Sequence, residues 1–78
     1  MSRAEKATFM TGTEYRKLLT RLGLNISESG SFLQIDRRTS SRRANGDIVI
    51  GFETAALLRL MVKLHITPSQ VTRIVDKQ

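Results

Sequence analysis

Four arginines fall within seven residues of the stretch Asp36-Arg37-Arg38-Thr39-Ser40-Ser41-Arg42-Arg43-Ala44-Asn45-Gly46. A guanidinium is planar, permanently charged and able to form two parallel hydrogen bonds, so it suits phosphates and the O6/N7 edge of guanine. Asn can make the equivalent pair of bonds with adenine. At about 100° per residue, a helix here carries Arg37, Arg38, Ser41, Arg42 and Asn45 on one face. Thr39, Ser40, Arg43 and Ala44 fall on the other. The first face has the chemistry to enter the major groove of double-stranded DNA, with Arg and Ser also gripping phosphates. Ser27 and Thr13, near the starts of other helices, and Lys17 are candidate phosphate contacts.

Other chemistry has little to draw on. The chain has no cysteine and one histidine, His65, too few for a protein-only zinc site. No nucleophile has an evident base beside it, and no Gly-rich phosphate loop is present. We therefore expect no enzyme activity, no metal, no cofactor and no small-molecule ligand. Thirteen Lys and Arg against seven Asp and Glu leave a formal charge of +6 on 78 residues, which favours a polyanionic partner through counterion release. No apolar run approaches the roughly 20 residues of a membrane span, and the first ten residues hold no apolar core of an export signal. The expected location is the cytoplasm of a prokaryote or phage host, at the nucleoid.

The elements that must position the arginines follow from caps and periodicity. Residues 1–10 show no period and read as a flexible leader, with Phe9 and Met10 able to staple the first helix. Thr11-Gly12-Thr13-Glu14 fits a capping box, and Tyr15, Leu18, Leu19 and Leu22 then form one apolar stripe. Tyr15 is expected half-buried with a wet hydroxyl, and Arg16, Lys17 and Arg21 on a solvated face. Gly23 stops this helix. Asn25 to Glu28 forms a second capping box, opening a short helix over about 26–33. Asp36 caps a third, which runs to about Asn45 and stops at Asn45-Gly46-Asp47. Ile48 to Phe52 reads as an extended connection. A strongly apolar helix follows over about 52–64, with His65 at its C-terminal end. Thr67-Pro68-Ser69-Gln70 opens a last helix to about Asp76. The fold class is thus all-α, with five helices in one domain over residues 11–78.

The order of these pieces resembles a known family. Leu22-Gly23-Leu24, Arg38-Thr39, Arg42, Gly46 and Leu57-Leu58-Arg59-Leu60-Met61 match the pattern of lambda-repressor-like (XRE-type) helix-turn-helix domains, in particular small proteobacterial and phage regulators. The likeness covers about residues 11–75. It implies a compact five-helix domain in which the third helix reads DNA. Gly30 would let the second and third helices cross closely, with Leu33 and Ile35 filling the angle between them. Three positions depart from the pattern: Gln34 replaces the turn glycine, Ser40 an inward aliphatic and Arg43 a buried aromatic. If Gln34 needs a positive φ, the cost is about 1 kcal/mol. With Ser40 and Arg43 inward, the third helix is expected to dock weakly and to be partly disordered without DNA.

The function that follows is a sequence-specific transcriptional regulator, a repressor or autoregulator, that occludes a promoter. A homodimer on half-sites about one helical turn apart would suit so small a domain, with Ile48–Phe52 or the last helix as contact. The alternative is a protein-interaction module, an antiactivator or adaptor that keeps the fold without reading DNA. RNA binding through the same basic patch ranks third.

Overall fold

A computed structural model describes residues 10–76. Five α-helices follow in order: α1 (Gly12–Arg21), α2 (Ile26–Leu33), α3 (Arg37–Ala44), α4 (Phe52–Leu64) and α5 (Pro68–Asp76), with no strand among the described residues. Most of the expected leader, Phe9 included, lies outside the described residues. Met10 is buried in the core.

The helix starts follow the capping residues. Asn25 accepts from the Glu28 backbone N–H at 2.7 Å, and the Glu28 carboxylate accepts from the Asn25 N–H at 3.0 Å. Thr67 and Gln70 repeat this reciprocal pair at the start of α5, and Asp36 accepts from the Thr39 N–H at 2.8 Å. Such pairs satisfy donors that the first turn leaves without partners. At α1 only half of the expected box forms. Thr11 accepts from the Glu14 N–H, while the Glu14 carboxylate turns away to Arg59 of α4, at 2.9 Å to both Nε and Nη2.

Four helices end in one way. After α1, α2, α3 and α4, the N–H groups of Leu24, Ile35, Asp47 and Ile66 donate to the carbonyls of Leu19, Gly30, Arg42 and Met61, five residues back. This closure requires a left-handed residue just before the donor. Gly23 and Gly46 supply it after α1 and α3, at φ 75° and 80°. Gln34 and His65 supply it after α2 and α4, at φ 59° and 58°. The turn after α2 thus keeps its left-handed geometry without a glycine.

The core gathers Met10, Tyr15, Leu19, Ala44, Ile50, Ala55 and Leu58, with Leu18, Leu22, Leu24, Ile26 and Leu33 packed around it. Helix α1 lies against both α3 and α4, and α2 lies against α3. Ile50 anchors the extended connection between α3 and α4 while its neighbour Val49 points to solvent. Helix α5 buries no residue fully. No described helix is long and apolar enough to cross a membrane.

Candidate nucleic-acid interface

Helix α3 is held in place by a buried hydroxyl, that of Ser40, alongside Ala44, its residue in the apolar core. Ser40, on its inner face, is fully buried. Its Oγ lies 2.7 Å from the Tyr15 hydroxyl of α1 and 2.6 Å from Ser29 Oγ of α2. Ser29 donates its own proton to the Ile26 carbonyl at 2.7 Å. That proton fixes the direction of the chain: Ser40 donates to Ser29, and Tyr15 donates to Ser40. Each buried hydroxyl is thereby satisfied, as burial demands. Tyr15 is 0% exposed, so its hydroxyl is not wet as the sequence reading had it. Inward Ser40 is therefore not an empty place in the packing: hydroxyls from α1 and α2 both meet it.

Two close backbone approaches complete the docking. A Cβ on Gly30 would lie 3.0 Å from the Ile35 carbonyl, so the α2–α3 turn closes on that glycine. A Cβ on Gly12 would lie 2.5 Å from the Ala44 carbonyl and 2.9 Å from that of Arg43. The first turn of α1 therefore seats on the last turn of α3, a contact that sequence reasoning missed. Arg16, expected on a solvated face, also serves this junction. Its Nε donates to the Ala44 carbonyl at 3.1 Å and its Nη2 to Asn45 Oδ1 at 2.7 Å. The first bond satisfies a carbonyl that the last turn leaves open, and the cation is favoured at a helix C-terminus.

The outer face of α3 carries the predicted residues. Arg37, Arg38, Ser41 and Arg42 line a shallow groove with Ile26 of α2 and Asp47 from the turn after α3. Arg37, Arg38 and Arg42 are exposed, and none makes a side-chain hydrogen bond or ion pair among the described residues. Hydrogen bonds from Thr39, its side chain first and then its backbone, hold the Asp36 carboxyl below the usual range, with the Arg38 charge adding to the effect. The arginines are thus presented in solvent on a helix with a fixed inner face, as bidentate recognition of phosphate or a base edge requires.

The remaining predicted residues stand differently. Asn45 caps the end of α3 and its Oδ1 is engaged by Arg16. It does not line the groove with the arginines. Ser27 is exposed in the first turn of α2, and Lys17 and Thr13 are exposed on α1; none of them lines that groove. Arg43, expected inward, is half-buried against α4, with Nη1 3.5 Å from Thr54 Oγ1 and its Nε buried without a partner. No protein-family model, curated protein or solved structure matches this chain.

Proposed function

We propose that the chain is a lambda-repressor-like helix-turn-helix domain, and that it regulates transcription by binding double-stranded DNA in a sequence-specific way. In this reading α2 and α3 form the helix-turn-helix, α3 enters the major groove, and the bound protein occludes a promoter. The observation that carries it is the split character of α3. One face is tied by Ser40 to α1 and α2, and the other holds three exposed arginines without a partner among the described residues. A preorganised cationic helix is what groove reading needs. The alternative, an adaptor that keeps the fold without reading DNA, is favoured by the departures at Gln34, Ser40 and Arg43 and disfavoured by the clustered arginines.

The test is selection of bound duplexes from a randomised DNA pool at about 0.15 M salt, where nonspecific phosphate binding is already weakened. One enriched motif supports the reading. A folded protein that enriches none overturns it. Within the motif, Arg38→Ala or Arg42→Ala is expected to cost roughly 1–3 kcal/mol and to relax preference at one base pair.

A further inference from the structure

Six acidic residues lie among the described residues: Glu14, Glu28, Asp36, Asp47, Glu53 and Asp76. Glu14 pairs with Arg59, Glu28 completes a capping box and Asp36 caps α3. Asp47 stands in the groove of the α3 arginines. Glu53 and Asp76 have no hydrogen-bonding or ionic partner among the described residues. Both line one groove, between the end of α2, the first half of α4 and α5. Its apolar lining is Phe32, Leu33, Leu57, Val71 and Val75; among the described residues no Lys or Arg lines it, and the nearest guanidinium named, that of Arg43, lies 3.5 Å from the Thr54 hydroxyl on its wall.

The wall formed by α5 is underused. Its apolar residues Val71, Ile74 and Val75 recur on one stripe, yet Val75 is 59% exposed and the helix buries no residue fully. A nine-residue helix is marginal without tertiary packing. Apolar side chains that stay accessible in a concave site, beside two carboxylates with unsatisfied charge, describe a docking surface. The charge decides the occupant. Glu53 and Asp76 are the charged side chains that line this groove among the described residues, with Arg43 reaching Thr54 on its wall, so the lining favours a cationic occupant over nucleic acid or anionic lipid.

We propose that the α2–α4–α5 groove docks a segment of another protein in which one or two large apolar residues are flanked by Lys or Arg. The apolar side chains enter between Leu57 and Val75, and the cations pair with Glu53 and Asp76. The groove shares no lining residue with the α3 face, so the inference stands apart from DNA reading.

The test is panning a randomised peptide library, displayed on phage, against the immobilised full-length chain near physiological ionic strength and without DNA. Wild type is expected to enrich sequences with an apolar residue flanked by Lys or Arg. The enriched peptide, made synthetically, should bind the E53K/D76K variant on the order of fivefold or more weakly, given the modest worth of each exposed pair. The same variant, checked for helicity by circular dichroism, should itself enrich acid-flanked sequences. E53Q/D76N serves as a milder second variant and should lose part of the affinity. No enrichment, enrichment without flanking cations, or equal binding by both variants would overturn the proposal. So would sedimentation showing that wild type self-associates and E53K/D76K does not, because a second copy would then be the occupant. Since no readout contains DNA, failure here leaves the DNA proposal untouched, and the reverse also holds.

Discussion

Ser40 shows how a single polar residue can replace a core contact. Its hydroxyl accepts from Tyr15 and donates to Ser29, so Ser40→Ala strands the Tyr15 proton in a fully buried site. A buried donor left without an acceptor costs about 1–3 kcal/mol, and urea unfolding should show a loss of that size. Removing both ends of one bond is milder. The Ser40→Ala/Tyr15→Phe double variant should therefore lose clearly less than the sum of the two single changes. Strict additivity would mean that the hydroxyls do not act as a pair. Gln34 offers a change in the other direction. Its left-handed φ of 59° is strained for a side chain with a Cβ, so Gln34→Gly should stabilise the fold by up to about 1 kcal/mol. An unchanged or lower midpoint would show that the Gln34 side chain supplies compensating contacts. The sequence marked both positions as departures from the expected pattern. It did not show that Tyr15 and Ser29, distant in the chain, bring hydroxyls to meet Ser40, because non-local hydrogen bonding leaves no mark in local spacing.

At the scale of elements, helix starts and stops were largely legible, since caps act over three or four residues and need particular side chains at fixed offsets. Asn25 with Glu28, Asp36, and Thr67 with Gln70 are bonded as the spacing predicts. Glu14 has the same spacing from Thr11, yet its carboxylate is drawn to Arg59 of α4. A local rule cannot anticipate a competing guanidinium 45 residues away. Arg16 is the parallel case, because its target carbonyl belongs to another helix. Arg16→Ala should speed amide exchange in the last turn of α3 and lower stability by about 1 kcal/mol, as loss of a net hydrogen bond or cap does. Unaltered exchange over residues 41–45 would show that Gly12 and Ala44 hold the junction without it. The Glu14–Arg59 pair also sets a pH dependence. The hydrogen bond from Arg59 is the largest cause of the lowered Glu14 pKa, and its charge adds to it. A depressed folded pKa means that the unfolded chain binds the proton more readily, so this contribution is present above the unfolded pKa and is lost as pH falls through the folded one. Denaturation midpoints should therefore decline from about pH 4.5 downward, and Glu14→Gln should flatten part of that decline.

On the scale of the whole molecule, the net charge favours a polyanionic partner but does not tell how charge is apportioned. Arg37, Arg38 and Arg42 share one groove on α3, and Glu53 and Asp76 share another between α2, α4 and α5. Asp47 breaks this separation by placing a carboxylate beside Arg37, Arg38 and Arg42. If α3 lies against DNA, that carboxylate repels the phosphates the arginines attract. Two unit charges about 7 Å apart in water interact with roughly 0.6 kcal/mol, so Asp47→Asn should tighten DNA binding roughly threefold. The gain should be similar for every sequence and should shrink as salt rises. Arg42→Ala is expected to act oppositely, and if Arg42 touches only phosphate it should lower the slope of log K against log salt by about one. The Asp47 result discriminates because loss of the carboxylate leaves every arginine in place. Tighter binding on a charge-neutral duplex analogue would show that the effect is not phosphate repulsion. Weaker binding on natural DNA would mean that Asp47 orients an arginine for base contact. Unchanged binding, measured by fluorescence anisotropy across a salt series, would place the phosphates away from this end of α3.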